Sequence, residues 1–255
     1  MRLALISDVH ANLAALDATI LDIAGQSVDC IVCLGDVVGY NGQPAECVRR
    51  IREAGAICVA GNHDLAVCGL IGTRDFPPAA ASSVAWTRTQ LAEDDLNFLR
   101  GLPRTIDIGD ELVAVHGALH PERNRESVRL DNDWRRLLTF QALVKHPSGA
   151  SICAYGHTHH ARIYESRSGF PAKLTETEVR LREDAYYLIN PGTVGEPRTD
   201  DRRASYMVLD LARRILTLRH VEYEAGIPFI AAREANLAPR FGASLKQKLR
   251  SIIKV

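Results

Sequence analysis

Eight polar side chains stand at places where a fold can gather them: Asp8 and His10 after a first apolar run, Asp36 after a second, Asn62 and His63 after a third, and His116, His157 and His159 further along. Carboxylate, amide and imidazole are the ligand types of borderline to hard divalent ions. In Asp8-x-His10 and His157-x-His159, two side chains separated by one residue fall on the same side of an extended segment. Glycines in Gly35-Asp36, Gly61-Asn62-His63-Asp64, His116-Gly117 and Gly156-His157-Thr158-His159 let the backbone turn sharply enough to aim the next side chain inward. Asp8, His10, Asp36, Asn62, His116, His157 and His159 make seven candidate ligands, more than one ion takes with four imidazoles among them. A pair of ions about 3.5–4 Å apart, sharing a bridging carboxylate, accommodates such a set. Taken singly, each residue has a plainer explanation. A histidine after a strand is usually a hydrogen-bonded structural residue, and Asp8 or Asp36 could cap the helix that follows. His120, His146, His160 and His220 lack the shared context and read as surface or core histidines.

Side chains so far apart in sequence meet only if strands deliver them to one edge. Apolar runs at 3–7, 30–34 and 56–60 alternate with helical spacing at 11–24 and 44–54. That alternation predicts a β-α-β-α-β core of parallel strands covered by helices, with the polar residues at the carboxyl ends where an open α/β sheet leaves its crevice. Helical spacing returns over 79–100, followed by strand-like runs at 105–108 and 112–115 about a Gly109-Asp110 turn. Further strands are expected at 151–155, 162–165, 185–189, 205–209 and 215–221, and helices at 132–144 and 227–235. The sum is an α/β protein with two mixed sheets face to face and helices outside. No linker divides it, so 1–255 reads as a single domain, with a motif-bearing core at 2–220 and a C-terminal helix and basic tail at 221–255. In the tail, Leu245, Leu249, Ile252 and Ile253 beside Lys246, Lys248, Arg250 and Lys254 suggest an amphipathic helix packed on the body.

Composition narrows the classes. The 255 residues balance 31 Lys and Arg against 31 Asp and Glu, giving a formal net charge of zero, so a nucleic-acid partner would need a local basic patch. Charged residues at 24 % and hydrophobic ones at 46 % are ordinary for a soluble globular chain. Asp8 interrupts the N-terminus too early for a signal peptide, and no apolar run is long enough to span a bilayer, so a cytoplasmic protein is expected. Cys30, Cys33, Cys58 and Cys153 lie in apolar strand-like runs. In Cys30-x-x-Cys33 an offset of three along a strand sends the thiols to opposite faces, which argues against a zinc or redox pair.

Asp8-Val9-His10, Gly35-Asp36, Gly61-Asn62-His63-Asp64, His116 and Gly156-His157-Thr158-His159 resemble, in order, the D-x-H, G-D, G-N-H-[DE], H and G-H-x-H motifs of the calcineurin-like metallophosphoesterase superfamily. The likeness spans residues 2–220, and Asn190-Pro191-Gly192-Thr193-Val194-Gly195 is similar to a turn of its small bacterial and archaeal phosphodiesterases. The resemblance implies a four-layer α/β/β/α sandwich. It also implies two divalent metal ions (Mn, Fe, Zn, Ni or Mg), with Asp8, His10 and His159 on one, Asn62, His116 and His157 on the other, and Asp36 bridging. His63 would stay free as the catalytic residue, donating a hydrogen bond or proton to the ester. Ser/Thr protein phosphatases carry G-D-x-x-D-R-G as their second motif. Here Gly35-Asp36-Val37-Val38-Gly39-Tyr40-Asn41 lacks both the aspartate that orients the histidine and the phosphate-gripping arginine.

The expected activity is therefore hydrolysis of a small phosphate ester or nucleotide, with a phosphodiester first. The alternatives are a phosphomonoesterase or protein phosphatase, a dinucleoside polyphosphate hydrolase, and a non-catalytic binding scaffold of the same fold. Arg123, Arg125 and Arg198 are candidates to bind substrate, since the guanidinium fork matches phosphate; Arg129, Arg202 and Arg203 share their stretches. The expected partners are a small phosphorylated substrate, no membrane and no broad nucleic-acid surface, with homo-oligomerisation left open.

Overall fold

The computed structural model describes residues 1–120, 125–167, 170–235 and 237. Strand β1 (Arg2–Ile6) shows why the first sheet forms: Leu3 and Leu5 join one buried cluster while Ala4 and Ile6 join another, the period of two that a doubly covered strand requires. Helices α1 (Leu13–Ala24) and α2 (Pro44–Glu53) connect it to β2 (Cys30–Cys33) and β3 (Ile57–Cys58), and the three strands pair in parallel. The β-α-β-α-β core is thus present. Next come α3 (Asn62–Val67), α4 (Pro78–Gln90), α5 (Glu93–Arg100), the hairpin of β4 (Thr105–Ile108) and β5 (Leu112–Val115), and α6 (Asp133–Val144). The chain continues through β6 (Ile152–Ala154), β7 (Ala161–Ser166), β8 (Ala172–Leu174), β9 (Glu178–Arg180), β10 (Tyr186–Pro191), β11 (Ala204–Asp210), β12 (Ile215–Val221) and α7 (Gly226–Glu234).

Two mixed six-stranded sheets result, ordered β3-β2-β1-β11-β12-β9 and β4-β5-β6-β10-β7-β8. Leu3, Leu5, Val32 and Leu34 of the first meet Leu112, Ala114, Ile152 and Ile189 of the second across the inner core. Leu16 of α1 with Val48 and Ile51 of α2 covers the outer face of the first sheet, and Phe140 and Leu143 of α6 cover the second. Each fully buried leucine or isoleucine contributes about 1.5–3 kcal/mol of transfer free energy, so the three interfaces hold the four layers together. The layers are α/β/β/α.

Several expectations needed adjustment. The helical stretch over 79–100 is two helices, because Leu91 and Ala92 are extended and the Asp95 carboxylate accepts the Ala92 N–H at 3.3 Å to start a new one. Glu93, Asp94 and Asp95 in that first turn are the charges a helix N-terminus favours. The apolar run at 56–60 supplies only two strand residues before the chain turns into α3. Strands β8 and β9 were not foreseen. The C-x-x-C reading holds: Cys33 belongs to the cluster facing the helices, Cys30 packs on the inner core, and all six cysteines are free. Among the described residues no helix is long and apolar enough to cross a membrane. The basic tail at 244–255 and Arg123 lie outside the described residues, and so does the side chain of Arg125, whose backbone opens a 3-10 turn at Arg125–Ser127.

Candidate metal centre

The loops after β1, β2, β3, β5 and β6 bring their polar residues to one edge of the sandwich. Asp8, His10, Asp36, Asn62, His63, His116 and His159 are all buried there, and His157 is partly buried beside them. The segments are not extended, as the alternate spacing had suggested: Asp8, His10, Asp36, His157 and His159 all have left-handed backbones, with φ between 49° and 63°. Such conformations cost a non-glycine residue about 1–3 kcal/mol each and persist where the surroundings fix them. Backbone bonds do the fixing, Asp8 N–H to the Gly35 carbonyl at 3.0 Å and His10 N–H to the Asp36 carbonyl at 2.9 Å. Gly61 is extended, and its role is close approach, since any side chain there would collide with Asp36. Neither Asp8 nor Asp36 caps the helix that follows it: Asn12 caps α1 by accepting the Ala15 N–H at 3.1 Å, and Asp36 instead accepts the backbone N–H of His63 in the first turn of α3 at 2.8 Å.

Three histidines are held in one tautomer. Nδ1 of His10, His116 and His159 lies 3.2, 2.7 and 2.7 Å from the carbonyls of Val38, Leu34 and Glu196. A carbonyl only accepts, so Nδ1 carries a hydrogen, and in the neutral form of each ring the Nε2 lone pair turns inward. Those lone pairs meet other acceptors: His10 Nε2 is 3.1 Å from His159 Nε2, His159 Nε2 is 3.2 Å from Asp8 Oδ1, and His116 Nε2 is 3.3 Å from Asp36 Oδ2 and 3.1 Å from Asn62 Oδ1. Asp8 Oδ1 has no hydrogen-bond partner, while Oδ2 takes the Ser7 hydroxyl at 2.7 Å and the His157 N–H at 3.0 Å. Acceptors this crowded and buried are stabilised only by cations or protons between them. Burial opposes ionisation of Asp8 and Asp36, yet the imidazoles around them hold both carboxyls below the usual carboxylate range. Burial likewise opposes charge on His116, and the Asp36 carboxylate overrides it, carrying that histidine up to about 9.

Within this cluster Asp8, His10 and His159 form one group able to hold an ion, Asp36, His116 and His157 a second, and His10, Asp36 and His63 a third. Asp36 is common to the last two and lies between His10 and His116. The donor set therefore fits two divalent ions. Two supports were missed in the sequence. Asp64 accepts N–H bonds from Val38 and Gly61 at 3.1 and 3.0 Å, tying the loop after β2 to the start of α3. Thr193 donates its hydroxyl to the Asp8 carbonyl at 2.8 Å and accepts the Glu196 N–H at 3.0 Å, and the Glu196 carbonyl takes the His159 ring. The Asn190–Gly195 turn thereby locks the Asp8 and His159 loops together, and only its likeness to a family turn signalled it. His146, His160 and His220 take partners outside the cluster: Ser148, the Thr158 carbonyl and Asp201.

A cavity of about 610 Å³ opens onto this edge, lined by Asp36, Asn62, His63, His157 and His159 together with Tyr40, Phe76, Arg74, Arg129 and Arg198. Burial pushes His63 down to about 4, so its ring is neutral, and its Nδ1 is buried without a partner. Gly39, with φ of 94°, packs against that nitrogen, leaving no room for a side chain where protein phosphatases place an aspartate. Of the arginines, Arg198 and Arg129 line the cavity, whereas Arg202 bonds the Pro197 carbonyl and Arg203 pairs with Asp201.

Fold and donor set together define a metal-binding phosphoesterase scaffold. The chain matches the calcineurin-like phosphoesterase superfamily domain over residues 1–214, and it belongs to that family. It is 34 % identical over 226 residues to an uncharacterized protein of Methanocaldococcus jannaschii, covering 87 % of this chain and 88 % of that one. Its fold is similar to the crystal structure of a metallophosphoesterase from Sphaerobacter thermophilus, with a TM-score of 0.79, 35 % identity, and 93 % and 95 % of the two chains covered. A hypothetical protein of Pyrococcus horikoshii shares the fold at a TM-score of 0.74 and 15 % identity, over 93 % of this chain and 94 % of that one.

Proposed function

We propose that this protein is a dinuclear-metal phosphodiesterase that hydrolyses a small phosphate ester or nucleotide. The observation that carries the reading is Asp36, a buried carboxylate between two sets of inward-facing imidazoles. Asp8, His10 and His159 would hold one ion, Asn62, His116 and His157 the other, with Asp36 shared. Such a pair supplies a water of lowered pKa and neutralises charge on phosphoryl oxygens. The chain's own residues do the rest. The backbone bonds to Nδ1 select the tautomer whose Nε2 faces the site once the ring is neutral, and Thr193 and Asp64 hold the loops in register. His63, neutral and facing the cavity, donates a hydrogen bond to the ester oxygen as it departs. Arg198, which lines the cavity, meets a phosphate of the substrate through its fork. Gly39 and Tyr40, at the places where protein phosphatases carry aspartate and arginine, support a diester over a phosphoprotein.

The test is to strip the protein with chelator, restore Mn²⁺, Zn²⁺, Ni²⁺, Fe²⁺ or Mg²⁺ singly, and assay chromogenic mono- and diesters side by side. Turnover that returns with an ion and favours the diester is expected. Silence with every ion would make the protein a binding scaffold.

A further inference from the structure

The cavity beside the metal centre has two walls that extend beyond the Asp36 cluster. One is cationic. Arg129 and Arg198 both line it, and neither guanidinium forms an ion pair among the described residues. Nε of Arg198 is buried with no hydrogen-bond partner. The two are close enough that burial and then the Arg198 charge lower the pKa of Arg129. His157 and His159 line the same cavity, which puts the pair toward the loop after β6. Two guanidiniums on one cavity wall repel each other, the Asp131 carboxylate offsetting this only in part, and a multiply charged anion between them removes the rest. The other wall is aromatic: the ring centroids of Tyr40 and His63 lie 4.7 Å apart, and those of His63 and Phe76 5.1 Å apart. Flat rings beside a catalytic edge offer stacking to a planar group without selecting its sequence of polar atoms.

Building on the phosphodiesterase reading, we infer that the substrate is a phosphate diester with a nucleotide part and a second phosphate group: the diester phosphorus at the Asp36 cluster, where water adds and one ester oxygen leaves with a proton as the alcohol, the second phosphate gripped by Arg129 and Arg198, and the base against Tyr40 and Phe76. A cavity of about 610 Å³ is large enough for a ligand of that class. The arginine pair therefore sets specificity by charge count, and the aromatic wall by planarity.

Calorimetric titration of the Mn²⁺-loaded protein reads this without turnover. The probes are a nucleoside 5′-diphosphate, the matching monophosphate, and inorganic pyrophosphate, which has the charge but no base. The diphosphate is expected to bind about tenfold or more tightly than either of the others, as one charge-assisted fork or one stacked base allows. Arg129→Gln and Arg198→Gln should each erase the preference over the monophosphate, and Phe76→Ala the preference over pyrophosphate. Equal affinity for mono- and diphosphate in the unmodified protein, or a preference that survives both arginine changes, overturns the arginine assignment. Pyrophosphate binding as tightly as the nucleotide overturns the base assignment. Turnover of bis(p-nitrophenyl) phosphate by the same unmodified sample tests hydrolysis separately: a binding preference without turnover sinks the phosphodiesterase reading and leaves the ligand class standing.

Discussion

His63 sits where the candidate metal cluster meets the cavity, yet its surroundings deprive it of the means to be a strong acid. Its ring is buried against Tyr40, Phe76 and the backbone of Gly39, and no carboxylate orients its Nδ1. A neutral ring in that place helps most when the departing oxygen is basic. His63→Ala should therefore retain both ions by elemental analysis while kcat falls by about 10²–10⁴ on an alkyl ester and much less on a p-nitrophenyl ester. Near-normal turnover of the alkyl ester would remove His63 from the mechanism. Thr193 works at one remove, through the Asp8 carbonyl and Glu196. Thr193→Val keeps the shape and deletes both bonds, so ion affinity should fall about 10–100-fold, as changes to the partners of metal ligands do; a competition titration against a chromophoric chelator measures it. The seven expected ligands were legible because each follows an apolar run and a turn. Nothing in the motif shows that Asp64 accepts from Val38, and Thr193 gives no signal as a support, because its hydroxyl bond to the Asp8 carbonyl joins loops 185 positions apart.

At the scale of elements, the legible parts were those with a strong period and two covered faces. β1, β2 and β10 are buried on both sides and read as continuous apolar runs. β8 and β9 are three-residue edge strands whose Lys173, Glu178 and Arg180 point outward, so they carry no run to detect. The seam between α4 and α5 was hidden because Leu91 and Leu99 are both buried and continue a helical spacing across it. Docking of α1 onto the first sheet also depends on one polar cluster: Asp22 accepts a forked pair from Arg219 of β12 at 2.8 and 3.1 Å and the Tyr206 hydroxyl of β11. The hydrogen bond from Arg219 is the main reason the Asp22 carboxyl is held below its usual value. A depressed folded pKa means the stabilisation is complete above the unfolded value of 3.8 and is lost as pH falls through the lower folded value. Asp22→Asn should lower the unfolding free energy by about 1 kcal/mol at pH 7, after allowance for solvent screening of a partly exposed pair. The gap between the two proteins in urea unfolding should close below pH 4, and a gap that persists at pH 2 would show packing rather than charge at work.

The whole molecule is bound to its centre by linkage. The candidate ligands come from five loops and both sheets, so the arrangement exists only in the folded chain, and ions that bind it stabilise the fold by mass action. Free Mn²⁺ at a hundred times its dissociation constant adds about 2.7 kcal/mol per site. For a chain of 255 residues that corresponds to a rise in Tm of about 5–10 °C per ion. Excess chelator should reverse the rise. Asp36→Asn offers the control, since it keeps an acceptor for the His63 N–H while removing the charge shared between the two groups. The variant should fold, as judged by circular dichroism, and lose most of the Mn²⁺-dependent shift because both sites are weakened together. A shift confined to half would mean that Asp36 serves one ion alone. A native chain whose Tm ignores Mn²⁺ up to millimolar concentration would mean that the inward-facing lone pairs are satisfied by protons, with the elevated pKa of His116 as their explanation.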